Sequence, residues 1–357
     1  MRREKLKFLT TQVDYDKYTV PIYDSVGRNK CVPLLKTLMS SFCTNNCKFC
    51  AFRCGRKIRR ERWEPEELAK VTLKLWKERK IQGLFLSSSV EKDPDLAVEK
   101  QIETIRILRK LGFTAYCHLR LMPSVNRELI KQSVELADRV GINMEFPRAE
   151  YYNDMKIFLN FRQDIIKRMK FLSREVKKAQ EEGKCKAGLD TQMIIGAVNE
   201  TDKEILQISE WLYSKLNVRR VYFSAFGPIK NTPLENQKPE NKWREYRLYQ
   251  SSFLIQRYGF KAEDFILNEF ENLLPNQDPK FLVAKKSALF VDVNNAKFKE
   301  LIRVPGIGIE TAKKIISLRN SGVRLSSEKK LKEVGVILKR AVPFLKISSL
   351  RKLTYFV

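Results

Sequence analysis

Four of the chain's seven cysteines crowd between Cys43 and Cys54. The run reads Cys43-Thr44-Asn45-Asn46-Cys47-Lys48-Phe49-Cys50, with Cys54 four residues further on. Three thiolates within eight residues can hold three corners of a cubane iron–sulfur cluster, because one tight loop can aim all three sulfurs inward. The fourth iron is then free to take a substrate or cofactor. Counting Cys54 makes four thiolates, which would suit a structural zinc ion or a closed electron-transfer cluster. Zinc more often uses two cysteine pairs across a longer loop, so the compact run suits it poorly. An odd cysteine count with this crowding points to metal ligation in a reducing compartment, the cytoplasm, and away from a disulfide framework.

A second constellation lies near the other end, in Val304-Pro305-Gly306-Ile307-Gly308 between two short apolar helical stretches. It has the form of a helix-hairpin-helix. Gly306 and Gly308 permit a tight hairpin with its backbone close to a ligand, and the following helix offers free N–H groups to a phosphate. Lys313 and Lys314 add charge, and Ala312 is small enough to let the two helices approach. From Leu301 to Val357 there are 13 Lys plus Arg against 3 Glu, the footprint of sequence-independent backbone binding. A purely structural hairpin is the plainer alternative. The whole chain carries 69 Lys plus Arg against 42 Asp plus Glu, a formal +27 that suits a polyanionic partner. Arg56, Arg59 and Arg60, which follow the cysteines, are candidates for a basic rim on a phosphate backbone; a solvated loop is the alternative.

These residues need a scaffold. Six β-like runs, Leu34–Phe42, Gly83–Ser88, Thr114–Leu121, Arg139–Glu145, Leu189–Ile195 and Val221–Phe226, alternate with segments of helical spacing. Start signals support the helices: Glu64-Pro65-Glu66-Glu67, Asp93-Pro94-Asp95, and Thr201 with Glu204 three residues later. Six strand–helix repeats predict a parallel α/β domain over residues 33–229 after an N-terminal extension of 1–32. Functional residues should then stand at the C-terminal ends of the strands, in an open sheet or a barrel alike. Residues 230–239 read as a linker opening a helical connector over 230–293, with helices expected at Trp243–Tyr258 and Asp264–Leu274. Residues 294–357 form the hairpin unit. No apolar run is long enough to span a bilayer, so no membrane partner is expected.

The spacing Cys43-x3-Cys47-x2-Cys50, with aromatic Phe49 before the last cysteine and the first strand just ahead, resembles the signature loop of radical S-adenosylmethionine (radical SAM) enzymes. The resemblance implies a partial (β/α)6 barrel and a [4Fe–4S] cluster on Cys43, Cys47 and Cys50. It also implies S-adenosylmethionine on the open iron, cleaved to a 5′-deoxyadenosyl radical, and an electron donor such as ferredoxin or flavodoxin. On that pattern Ser87, Ser88 and Ser89 match the strand end that meets the methionyl group. Asn143 and Glu145 would suit a ribose, and Gln192 and Ser224 would line the barrel mouth. Each has a plainer alternative in turn chemistry or local backbone hydrogen bonding. His118, the chain's single histidine, falls on the third of these strands and is the candidate for substrate contact or proton transfer; a structural histidine is the alternative. Over residues 33–318 the chain is similar to a prokaryotic family of DNA modification and repair radical SAM proteins linked genomically to a uracil-DNA-glycosylase-like partner. That similarity implies action on a DNA base, with RNA such as tRNA, or a non-enzymatic DNA-binding protein with a structural metal, as alternatives.

Overall fold

The computed structural model describes residues 22–26, 31–270 and 272–346. They divide into two units, one running to residue 200 and resuming over 211–240, the other made of 201–210 and 241 onward.

In the first unit β1 (Ile22–Val26) lies antiparallel on β2 (Cys31–Leu38). Parallel strands then follow in sequence order: β3 (Gly83–Ser87), β4 (Tyr116–Leu121), β5 (Arg139–Ile142), β6 (Gly188–Ile195) and β7 (Arg220–Ala225). The six parallel strands with their helices form a half-barrel. The helices between them include α1 (Pro65–Lys77), α2 (Pro94–Lys110), α3 (Arg127–Leu136), α4 (Glu150–Asp154), α5 (Arg168–Glu181) and α6 (Asp202–Leu216), whose residues up to 210 count with the second unit. Their starts follow the sequence signals. Asp93 accepts from the Leu96 amide at 2.8 Å, and Thr201 and Glu204 cap one another's amides at 3.2 and 3.0 Å.

The six expected strands are all present, but the first stops at Leu38 and not Phe42. Ser41 donates its amide to the Glu61 carbonyl at 2.9 Å and Ser40 bridges to Arg62, which draws the chain off the sheet before the cysteines. Alternate residues of each strand share a face. One face buries Leu84, Leu86, Cys117, Leu119, Val140, Met193 and Phe223 in the apolar core. The other, concave face carries the polar residues His118, Arg120, Arg139, Asp190, Gln192, Tyr222 and Ser224.

The second unit is mainly helical. Here α7 (Lys242–Tyr258) is capped by Asn241, whose side chain accepts from the Trp243 amide, and is ended by Gly259 at φ 70°. Among the described residues of the helix expected over Asp264–Leu274, no α-helix forms. Only a 3-10 turn at Ala262–Asp264 forms, after which the Asn268 amide pairs with the Leu273 carbonyl and the Leu274 amide with Asp202. These local bonds close a loop that a continuous helix could not make. The helices α8 (Pro279–Lys286), α9 (Phe298–Leu301), α10 (Ile309–Asn320), α11 (Glu328–Glu333) and α12 (Leu338–Ala341) enclose Leu301, Val304, Ile307, Ala312, Ile315 and Leu331. Two short parallel strands, β8 (Val291–Asp292) and β9 (Leu345–Lys346), complete the unit.

Candidate active site and nucleic-acid interface

The cysteine loop leaves the end of β2 and is tied down at every turn. Thr44 N–H donates to the Val90 carbonyl at 2.8 Å, Lys48 N–H to Met155 at 2.9 Å and Cys54 N–H to Asn45 at 2.8 Å. Arg60 reaches under the loop and donates to four main-chain carbonyls, those of Ser41, Phe52, Arg53 and Arg56, at 2.6–3.2 Å. Arg56 donates to the carbonyls of Ala51 and Lys230, and Arg59 pairs with Glu61 at 2.8 Å. The basic run after the cysteines thus has work inside the protein: Arg60 and Arg56 hold the loop's shape by filling carbonyls that would otherwise lack partners.

Cys43, Cys47 and Cys50 are half-buried free thiols; Cys54 is exposed. Burial pushes the Cys50 thiol up to about 12 and Cys47 higher still, with the neighbouring cysteines adding to both. The sulfurs are therefore close enough to repel one another as thiolates, an arrangement that a cationic centre would relieve. Among the described residues no three His, Cys, Asp or Glu groups converge as a single metal ion requires. A cubane asks less of the sulfurs, because each cysteine binds a different iron. Phe49 stands edge-on to Phe146, ring centroids 5.7 Å apart, which packs the loop against the end of β5.

Beyond β5 the chain bulges. Met144 and Glu145 both donate their amides to the Gln192 carbonyl, at 3.1 and 3.0 Å, and Glu145 takes a φ of 60°. The bulge brings Glu145 near Cys47 and Cys50, where burial lifts its carboxyl to about 7. Asn143 donates to Glu145 at 3.0 Å, and its own Oδ1 is buried with no hydrogen-bond partner. Ser87–Ser89 run beside the loop's start: Ser89 N–H donates to the Ser40 carbonyl at 2.9 Å, and Ser88 bonds the Ser89 carbonyl. Gln192 and Ser224 are half-buried on the concave face.

Deeper on that face lies a charged cluster of which the sequence singled out only His118. Arg120 faces Asp190 with N–O distances of 3.0 and 3.2 Å, and His118 Nε2 lies 3.0 Å from the same carboxylate. Asp190 is fully buried. Burial alone would lift its carboxyl, but Arg120 and His118 hold it below the usual range. Burial pushes His118 down to about 4, against the pull of Asp190. A proton there would add a second cation beside Arg120, with Arg139 also near, so the imidazole is neutral at physiological pH. Gly141 makes the cluster possible: a Cβ there would sit 1.8 Å from Asp190 Oδ1 and 2.6 Å from Arg120 Nη1. A lone glycine inside a strand pattern was the available signal for this close approach.

In the second unit, Gly306 turns the hairpin with φ 84°, and α10 starts directly after Gly308. A Cβ on Gly306 would lie 2.5 Å from the Ile337 carbonyl oxygen, so only glycine fits. Ala312 is fully buried between the helices, while Lys313 and Lys314 are exposed. Lys280 was not singled out from the sequence. Its Nζ donates to the Ile307 carbonyl at 2.7 Å and lies 4.7 Å from the centre of the Tyr258 ring; burial pushes it down to about 7.

Residues 37–212, from the first parallel strand through the cysteine loop to α6, match the Radical SAM superfamily. That stretch is a Radical SAM domain. Residues 286–343 match the helix-hairpin-helix motif. Among solved structures the radical SAM chain is similar to methylornithine synthase, at 19% identity and a TM-score of 0.49 over 63% of this chain and 62% of that one. It is similar to the FeFe-hydrogenase maturase HydG from Carboxydothermus hydrogenoformans, at 15% identity and a TM-score of 0.49 over 62% and 51%. A further HydG structure gives 11% identity and a TM-score of 0.48 over 84% and 79%. The chain thus spans 62% and 51% of the first two of these proteins. No curated protein matches it.

The superfamily's cofactors are a [4Fe–4S] cluster and S-adenosylmethionine. The residues present fit both. Three half-buried free thiols on one tied-down loop suit the cluster, and the orphaned Asn143 Oδ1 suits a hydroxyl donor. No helix among the described residues is long and apolar enough to cross a membrane.

Proposed function

We infer that the protein is a radical SAM enzyme that acts on nucleic acid, and that its substrate is a DNA base. The observation that carries this reading is the joining, in one basic chain, of a three-thiol loop to a glycine-turned hairpin with exposed Lys313 and Lys314. Cys43, Cys47 and Cys50 would hold the cluster, and Asn143, Glu145, Gln192, Ser87–Ser89 and Ser224 would contact the second cofactor. When bound, these cofactors supply a carbon radical able to remove hydrogen from an unactivated position.

The protein's own groups then have distinct tasks. Arg60 and Arg56 fix the loop backbone so that the sulfurs keep their spacing. Glu145, held by the bulge and by Asn143, offers a carboxyl that changes charge near neutrality. His118, neutral and 3.0 Å from Asp190, can make a hydrogen bond but is a poor proton acceptor, because a proton there would add a second buried cation beside Arg120. The hairpin amides and lysines would grip phosphates without reading sequence, and a base would leave the stack to reach the barrel. An electron donor such as ferredoxin or flavodoxin is required, and a uracil-DNA-glycosylase-like protein is the proposed genomic partner.

The test is anaerobic turnover of the reconstituted protein with reductant, S-adenosylmethionine and DNA uniformly deuterated in its sugars and bases. Deuterium appearing in 5′-deoxyadenosine supports the reading. Cleavage stimulated by tRNA and not by DNA would move the substrate to RNA. A cluster-loaded protein that cleaves nothing with either polymer would overturn it.

A further inference from the structure

The helix α7 packs by Leu248, Leu254 and Ile255 and carries a second apolar row on its outer side. Its buried side includes Ser251 and Ser252, fully or almost fully shielded, with the Ser251 hydroxyl lacking any hydrogen-bond partner. Its outer side carries Trp243, Tyr246 and Phe253, each about half exposed. These three recur at i, i+3 and i+10, with Gln250 and Arg257 at i+7 and i+14, so they form one stripe along the helix. Since Leu248, Leu254 and Ile255 already supply the packing face, the outer aromatics are not needed to hold the helix in place. Exposed large apolar groups in a row mark a surface that something covers.

The stripe is organised and cationic. Trp243 and Tyr246 stand edge to face, centroids 5.8 Å apart, and the Arg247 guanidinium lies over both rings at 5.5 and 5.4 Å. Arg247 is itself fixed by hydrogen bonds to Asn276 at 3.2 Å and Gln250 at 2.7 Å. Over Lys242–Tyr258 there are four basic residues against one acid, and from residue 241 to the end 23 against 11. At its far end the stripe meets the hairpin: Phe253 packs on Tyr258, centroids 5.8 Å apart. The Tyr258 hydroxyl lies 3.7 Å from where a Cβ on Gly308 would be. From Trp243 to Phe253 the helix rises about 15 Å.

We propose that the Trp243–Tyr246–Phe253 stripe of α7 is a stacking platform for unpaired bases of a single strand whose phosphates run past Arg247, Arg257 and the hairpin. Spaced rings interleaved with guanidinium groups, in a stretch with twice as many basic as acidic residues, match a polyanion carrying flat faces. This deepens the proposed action on nucleic acid by naming the substrate class, a strand with bases already out of the duplex, and it rests on that reading.

The test uses the anaerobically purified full chain and fluorescence anisotropy with three end-labelled 20-mers: oligo-dT, an abasic strand of the same charge, and duplex. Stacking predicts that oligo-dT binds roughly five- to 150-fold more tightly than the abasic strand, the span expected for one well-stacked base upward. Trp243→Ala with Tyr246→Ala should abolish that difference while leaving abasic affinity within about twofold, and Trp243→Leu, which keeps apolar bulk, should lose most of it. Tryptophan emission should be quenched by oligo-dT and not by the abasic strand. Equal binding of dT and abasic strands by the unaltered protein, or a double variant that weakens both equally, overturns the platform while leaving nucleic-acid binding intact. Failure to bind any of the three overturns the nucleic-acid reading itself.

Discussion

His118 should make the protein lose stability on mild acidification, and the size of the loss follows from its surroundings. In the unfolded chain the imidazole takes up its proton near 6.5; in the folded barrel, buried beside Arg120, it does so only near 4. The folded pKa is depressed, so this contribution is fully present above about 6.5 and is lost as pH falls toward 4. Between pH 7.5 and 5 the unfolded state gains most of a proton that the folded state refuses, which costs about 2 kcal/mol. With an ordinary urea dependence this moves the midpoint by about 1 M. The assay is urea unfolding of the full chain at both pH values, followed by far-UV circular dichroism, for the unaltered protein and His118→Gln. Glutamine keeps a donor for Asp190 and removes the titration, so the pH difference between the two proteins isolates the imidazole. Because the chain has one histidine, its ring proton resonance reports the same titration directly. Parallel pH profiles for the two proteins, or a resonance titrating near 6.5, would refute the buried-neutral assignment.

Other consequences can be checked separately. Gly141→Ala puts a methyl into the space of the Arg120–Asp190 pair and should destabilise the barrel by about 3–5 kcal/mol, read as a lowered urea midpoint. Cys43→Ala, Cys47→Ala and Cys50→Ala should each abolish S-adenosylmethionine cleavage and sharply lower bound iron and sulfide, whereas Cys54→Ala should retain both; loss of iron in the last would revive a four-thiolate site. Gly306→Ala, forced into φ 84° against the Ile337 carbonyl, should cost about 1–3 kcal/mol in unfolding of the hairpin unit. Replacing Lys313 and Lys314 by Gln should flatten the dependence of log affinity on log salt by about 1.4–1.8 if each contacts one phosphate.

What the sequence alone determined was whatever rests on local order. The cysteine spacing, the Val304–Gly308 hairpin, the six strand runs and the caps at Asp93 and Thr201 are written in neighbouring residues, and the structure bears out those elements. Local order also misled where it was weak: the apolar spacing over Asp264–Leu274 suggested a helix, but turn bonds at Asn268 and the reach of Asp202 to Leu274 prevailed. Only the tertiary structure could assemble the Arg120–His118–Asp190 cluster, whose members lie on β4 and β6 across the gap left by Gly141. Only it could turn Arg60 inward onto four carbonyls, bury Lys280 beneath the hairpin, and leave three aromatics outside α7 over two serines within. The physical reason is common to all four. Burial and the meeting of residues distant in sequence set a side chain's charge, partners and exposure, and neither quantity is carried by the residues next to it in the chain.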